Sequence, residues 1–235
     1  MVEVKEEQKY KRLRRLAQEL HLPIPEAFIE LEVFDKDGKV IQKHRQRSHS
    51  WVRNAYNLLL SEMCGKVLDD SGVFGAGLLS IKDTGGVIRA SADAGAVIAP
   101  STGDFEALNA AYRANATVIN HGIQVGSDAT AWSFEDYNLL AQIAEGTGAG
   151  ELNAVATDVP TKSWSAPTFT ITWIRYFNNN SGGNVLVKEA ALCTSGHVGS
   201  ACKFIMSRDK LASTVTVPDT GQLKVTYTIQ LTYPS

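Results

Sequence analysis

Histidine and acidic side chains are the groups in this 235-residue sequence that could transfer protons or activate a nucleophile. A nucleophile needs a base within hydrogen-bond reach and a tight turn that exposes it. The sequence has no Gly-x-Ser-x-Gly, no phosphate-binding loop, no dinucleotide fingerprint and no His-Glu-x-x-His. His121 lies in or beside a predicted strand and His197 in a Gly-Ser turn, where a lone histidine is usually structural. We therefore predict no catalytic residue and a protein that is not an enzyme.

Adjacent carboxylates occur at Asp69-Asp70 and at Glu135-Asp136. Neighbouring residues on a strand or helix point apart, so neither pair supplies a glycosidase-like acid and nucleophile. Asp128 could join Glu135 and Asp136 around calcium, but the spacing is not that of a known calcium loop. We expect these acids to cap the turn that follows Trp132.

The three cysteines, Cys64, Cys193 and Cys202, stand in no metal-ligand spacing. Cys193 and Cys202 could pair across a hairpin. The alternative is two small buried thiols and one spare thiol in a protein made in a reducing compartment. We predict no metal site and no other cofactor.

Two tryptophans are candidates for contact with a ligand or a subunit. Trp173 alternates with Phe169 and Ile171 in a predicted strand, which indicates burial. Trp132 and Trp164 instead lie in loop-like sequence. Exposed aromatic rings there suit either a sugar-stacking platform or a subunit interface.

Cations near the N-terminus form a second candidate surface. Residues 1–53 carry 12 basic and 9 acidic side chains, a net charge of +3, against −5 for the remainder. This asymmetry favours an N-terminal basic helix that contacts an acidic partner or a membrane surface. The alternative is that the helix packs on its own domain. No interleaved aromatic residues accompany the cations of 43–50, so we predict no specific nucleic-acid binding. The predicted partner-binding residues are Lys9, Lys11, Arg12, Arg14, Arg15, Arg45 and Arg47.

The elements that carry these residues follow from periodicity. Residues 5–20 have apolar positions at helical spacing and predict an amphipathic helix, so 1–25 is expected to be a basic helical arm. Residues 28–34 alternate and precede the turn 35–38, which predicts a β-hairpin. A second helix is predicted near residues 51–63, capped by Ser48 or Ser50 and ended by Gly65. Its predicted apolar side is formed by Val52, Tyr56, Leu59, Leu60 and Met63.

The remainder predicts a mainly β domain over 26–235, an antiparallel β-sandwich of jelly-roll or immunoglobulin-like type. The segment 68–116 is rich in Gly, Ala, Ser and Asp, so we expect loops that order against a neighbouring subunit. No apolar run approaches the ~20 residues of a membrane span, and no secretory leader is evident, which predicts a soluble chain without membrane contact. The predicted strands cover 78–82, 87–89, 96–99, 117–125, 152–159, 168–177, 184–192, 201–207, 213–217 and 222–233.

Several stretches, in this order and spacing, resemble structural proteins of tailed-virus particles, including head-surface and tail-associated proteins. The stretches are DKDGK (35–39), SWVRN (50–54), GIQVGS (122–127), WSFEDYNL (132–139), RYFNNNSG (175–182), RDKL (208–211), VTVP (215–218) and LKVTYTI (223–229). The basic helix lies outside the matching stretches. The resemblance implies a C-terminal β-sandwich without catalytic residues.

That resemblance implies a non-enzymatic virion structural protein, most simply a capsid decoration, minor capsid or tail-associated protein. Its partners would be copies of itself and a major capsid or tail protein. It would be made in the host cytoplasm and located in the virion. The alternative is a carbohydrate-binding adhesin module of a phage or cell-surface appendage, using Trp132 and Trp164.

Overall fold

The computed structural model is mainly β, with antiparallel sheets and two helices, and the predicted fold class is confirmed. It describes residues 2–65, 68, 72–75, 77–89, 108–198 and 200–234. The helices are α1 (Val2–Glu19) and α2 (Arg53–Cys64). The strands are β1 (Ile24–Phe34), β2 (Val40–Arg47), β3 (Ile81–Lys82), β4 (Ile88–Arg89), β5 (Gly122–Gly126), β6 (Asn153–Ala154), β7 (Thr161–Ser165), β8 (Thr168–Asn178), β9 (Val185–Val198), β10 (Ser200–Val217) and β11 (Gln222–Thr232).

Two larger sheets enclose the main core. The first has the order β2-β1-β11-β8-β6, with β7 also paired to β8, and the second has the order β10-β9-β5. Leu31 and Val225 of the first sheet and Val187 and Val215 of the second belong to one buried apolar cluster. The two sheets therefore pack face to face in a sandwich-like arrangement, as their alternating sequences require.

The final strand shows how the sequence pattern places this core. Leu223, Val225 and Tyr227 of β11 are fully buried, while the residues between them are partly exposed. β11 pairs along its whole length with β1 on one side and β8 on the other. The alternation predicted for 222–233 is thus confirmed where the strand crosses the core.

Several predicted boundaries are wrong. The strands predicted at 201–207 and 213–217 are one strand, β10, which continues through register shifts against β9. The predicted strands 117–125 and 152–159 shorten to β5 and β6. β7 is an unpredicted strand whose residues are all exposed, so no apolar alternation marks it.

The predicted helix cap is also wrong. The residue before α2 is Val52, which offers no capping side chain, while Gly65 ends the helix in the left-handed conformation as predicted. The Ser48 hydroxyl instead donates to Asp209 Oδ2 at 2.6 Å and lies against the Tyr227 hydroxyl. Burial raises the pKa of Asp209, against the opposing effect of hydrogen bonds from Ser48 and Ser50.

The segment 68–116 contains one small hairpin, β3-β4, among its described residues. Asp83 closes this hairpin by accepting the backbone N–H groups of Gly85 and Val87. The predicted strand 96–99 and the pair Asp69-Asp70 lie outside the described residues. The expectation that this segment orders against a subunit stays a prediction.

Cys64, Cys193 and Cys202 form no disulfide; Cys193 and Cys202 are buried and Cys64 is exposed. The hairpin disulfide is therefore wrong, and the alternative of two buried thiols is confirmed. Neither α1 nor α2 is long and apolar enough to cross a bilayer, and these are the helices in the described ranges.

Candidate interaction surface

Helix α2 turns most of its predicted apolar side to solvent, although the apolar stripe of a helix usually faces the core. Tyr56, Leu59, Leu60 and Met63 are exposed by 51 to 76%. They recur at i, i+3, i+4 and i+7 and therefore share one face of the helix. Of the residues on the predicted apolar side, only Val52 is buried. We call these four residues the α2 stripe.

Polar side chains explain why α2 faces this way. The Asn54 side chain donates to the Lys82 carbonyl oxygen at 2.8 Å and accepts from the Lys82 N–H at 3.0 Å. Asn57 donates to the Ser80 carbonyl oxygen at 2.7 Å. Because these amides satisfy backbone groups at β3, the face with Ala55 and Leu58 packs inward. The opposite, apolar face is left to solvent.

The apolar surface continues from α2 onto the loop between β5 and β6. The Phe134 ring lies 5.7 Å from the Tyr56 ring, centroid to centroid. The Arg53 guanidinium lies 4.8 Å from the Phe134 centroid and is bonded to the Glu135 carboxylate. Trp132, two residues before Phe134, is 38% exposed. The predicted contact residue Trp132 therefore belongs to the loop that borders the α2 stripe.

The buried side chain of Arg208 holds this loop in place. Its Nε donates to Glu189 Oε2 at 2.6 Å and its Nη1 to Asp136 Oδ2 at 3.0 Å. Its Nη2 donates to the Thr130 carbonyl oxygen at 3.2 Å, and Glu189 also accepts the Ala141 N–H at 2.9 Å. Residues of this loop from Thr130 to Ala141 are thus bonded to the buried Arg208–Glu189 ion pair, which fixes them on β9 and β10.

The acids predicted around this loop have arginine partners. Glu135 pairs with Arg53, and Asp136 and Asp128 lie 3.0 and 3.6 Å from Arg208 nitrogens. Burial lowers the pKa of Arg208, but its hydrogen bonds to Glu189 and Asp136 outweigh burial and the pKa is raised. Asp136 also accepts the Ser133 N–H, which confirms its capping role. Across the part of the chain that the structure describes, no group of three or more His, Cys, Asp and Glu is placed to hold a metal ion.

Two of the predicted partner-binding cations are bonded within the chain. Arg14 of α1 donates from Nε and Nη2 to the two Glu26 carboxylate oxygens, at 2.8 and 3.0 Å. Arg47 donates to Glu26 Oε2 at 3.0 Å, and both arginines also bond Glu7. The Arg47 guanidinium lies 3.8 Å from the Tyr10 ring centroid. The helical arm is therefore docked on β1 and β2, the second of the two arrangements considered from sequence.

Burial and two arginines act in opposite directions on the central carboxylate of this network. Burial raises the pKa of Glu26, but hydrogen bonds from Arg14 and Arg47 outweigh it and the pKa is lowered. Glu26 is therefore ionised at neutral pH and binds both guanidinium groups. Arg14 and Arg47 are correspondingly unsuited to a second acidic partner.

The other predicted cations remain at the surface. Lys9, Lys11, Arg12 and Arg15 are exposed on α1, and Arg15 pairs with Glu19 on the same helix at 3.5 Å. Arg45 lies over the Phe28 ring at 5.1 Å. The structure thus divides the cationic set into side chains that dock α1 and side chains that face solvent.

Helix α1 also exposes its apolar positions. Leu13, Leu16 and Leu20 are 46, 48 and 57% exposed, whereas Ala17 is buried. We call these three leucines the α1 stripe. A groove of about 520 Å³ lies between the two helices, lined by Tyr10 of α1 and by residues of α2 that include Leu59.

Trp164 lies apart from these features. It belongs to β7, is 57% exposed and packs its ring against Tyr233 at 5.5 Å. No ring contact links Trp164 to Trp132 among the described residues. The two predicted contact tryptophans stand on separate elements, and the structure does not bring them into one platform.

The histidines singled out from the sequence are structural where they are described. His121 is buried and its Nδ1 lies 2.8 Å from Asn120 Oδ1. Burial, with nearby Lys203 and Arg175, lowers the pKa of His121 to about 4. His121 is therefore neutral at pH 7. His197 has its backbone in β9, and its side chain lies outside the described residues.

No protein family, curated protein or solved structure matches this chain.

Proposed function

We propose that this chain is a structural component of a tailed-virus particle, a decoration, minor capsid or tail-associated protein that works through protein–protein contacts. The observation that carries the proposal is the exposed α2 stripe. An apolar helix face turned to solvent marks an interaction site, because large contiguous apolar patches are uncommon on isolated domains. The resemblance of the sequence to virion proteins supplies the kind of partner.

The surroundings of the stripe support a role in assembly. Asn54 and Asn57 fix the orientation of α2, and Arg208 fixes the adjoining loop, so the surface is held in shape before a partner binds. A rigid surface loses little conformational entropy on association. The β-sandwich thus acts as the scaffold for one preformed contact area.

The test is to locate the protein in purified particles of the virus that encodes it. Shell and tail fractions are separated and each is analysed by quantitative mass spectrometry. We expect the chain in one fraction, at a fixed ratio to that fraction's major protein. Recovery of the chain solely in the unassembled supernatant would contradict the proposal.

A carbohydrate-binding adhesin is the second candidate, favoured by the exposed rings of Trp132 and Trp164. Each ring could stack on a sugar by itself, although the two do not form a joint platform. A glycan array probed with wild type, Trp132→Ala and Trp164→Ala tests it. Binding lost in either variant would favour the adhesin, and absence of binding by the wild type would argue against it.

A further inference from the structure

The α1 stripe lies on the flank of α1 that carries Glu6. Leu13 and Leu20 follow Glu6 by seven and fourteen residues, so they share the flank of Glu6 on a helix of 3.6 residues per turn. Glu6 Oε1 lies 3.7 Å from His49 Nε2, and His49 lines the groove. Tyr56 and Leu59 of the α2 stripe line the same groove, whereas the three leucines of the α1 stripe lie outside its lining.

The α1 helix does not cover the α2 stripe of its own chain. Its other flank is fixed on β1 and β2 through Arg14, Glu26 and Arg47, and both stripes stay about half exposed. Within the part of the chain that the structure describes, both stripes are open to a partner molecule. Because each chain carries both stripes, a copy related by a two-fold axis can bring α1 against α2 twice.

The exposed area is close to what a stable dimer needs. A large apolar side chain that is half exposed offers roughly 80–100 Å² to a partner. The α1 stripe, the α2 stripe and Phe134 together then offer roughly 650–800 Å² per copy, against about 800 Å² per partner in an interface of standard size.

Charges at the edges of the stripes are complementary. Lys9 and Arg12 are exposed on α1 beside its leucines, and Glu62 is exposed on α2 beside its stripe. Such rim pairs add little affinity, but they favour one relative orientation of the helices. Apolar burial with a complementary rim is the anatomy of a protein–protein interface.

We propose that the partner of this surface is a second copy of the chain, with the α1 stripe of each copy packed on the α2 stripe of the other. The inference rests on the proposed assembly function and names the contact through which assembly begins. It also gives the exposed cations Lys9 and Arg12 a place at the rim, where Glu62 of the second copy faces them.

Site-directed disulfide formation between differently tagged copies tests this contact. One copy carries Leu16→Cys and the other Leu60→Cys, both with Cys64→Ser to remove the exposed native thiol. The control pairs Lys36→Cys, in the turn between β1 and β2 at the far end of β1 from Glu26, with Leu60→Cys. The mixtures are oxidised gently, and the tags identify disulfides between copies.

We expect the Leu16→Cys and Leu60→Cys mixture to give about tenfold more linked product than the control, because docking raises the effective concentration of the two thiols. Equal yields in both mixtures would overturn the α1–α2 contact. If the chain were then still found in virus particles, the assembly function would stand and its partner would be another virion protein.

Discussion

Replacing Arg208 by methionine tests how the loop beside α2 is held. Methionine fills much of the same space but leaves the buried Glu189 carboxylate without its guanidinium. It also releases the bonds to Asp136 and Thr130. Removing one partner of a buried ion pair costs about 3–5 kcal/mol, so we expect the free energy of unfolding to fall by that amount.

The assay is urea unfolding followed by tryptophan fluorescence. With a slope of about 2–3 kcal/mol per molar urea, the loss lowers the unfolding midpoint by roughly 1–2.5 M. The exposed Arg45→Met is the matched control and is expected to change stability by less than about 1 kcal/mol. The double variant Arg208→Met/Glu189→Gln should recover part of the loss, because it removes the fully buried unpaired charge at Glu189.

Two results would refute this reasoning. One is a loss for Arg208→Met no larger than that of Arg45→Met. The other is a double variant that is less stable than Arg208→Met alone. Either would mean that the buried pair does not anchor the loop that carries Trp132 and Phe134.

Three further predictions concern groups that position the helices and the core. Asp209→Asn should gain stability relative to wild type as the pH rises from about 4 to 7, because the folded wild type must then ionise a buried carboxyl whose pKa is raised. The gain is about 1.4 kcal/mol for each pH unit by which burial raises that pKa. A pH-independent difference between the two proteins in urea unfolding would contradict this. Asn54→Ala should lower the free energy of unfolding by about 2–3 kcal/mol, because it removes the side-chain partners of the Lys82 N–H and carbonyl groups. A loss below about 0.5 kcal/mol in urea unfolding would count against the anchoring of α2 by Asn54. Glu26→Gln should speed tryptic cleavage within α1, because it weakens the docking of α1 on β1 and β2. The control Glu19→Gln, at an exposed position, should leave the cleavage rate unchanged. Equal cleavage rates for the two variants would show that the Arg14 network does not hold the helix.

Periodicity predicted the elements better than their orientation. The β1-β2 hairpin and β11 follow directly from alternation and turn residues, and α1 from its unbroken helical composition. For α2 the same reasoning found the apolar side but did not show that Tyr56, Leu59, Leu60 and Met63 face solvent. The spacing of apolar residues shows which of them share a helix face. Whether that face of α2 is buried depends on the contacts that Asn54 and Asn57 make elsewhere in the fold.

The polar networks were beyond sequence reasoning for a related reason. Arg14, Glu26 and Arg47 meet because the hairpin and α1 are adjacent in space, and Arg208 meets Glu189 because β9 and β10 pair. Charge counting identified Arg14 and Arg47 as free cations, since their partners are distant in sequence. Trp132 and Trp164 are both exposed, but the loop-like context inferred for Trp164 is wrong, because it lies in strand β7.

Sedimentation velocity over a concentration series tests the assembly surface most directly. We predict that wild type reaches a mass of twice the 25.5 kDa of one chain, and that Leu59→Glu returns it to 25.5 kDa. Val159→Glu, at a similarly exposed position outside the stripes, should sediment like wild type. A wild type that stays at 25.5 kDa at every concentration, or a Leu59→Glu variant that associates as strongly as wild type, would contradict self-association through this surface.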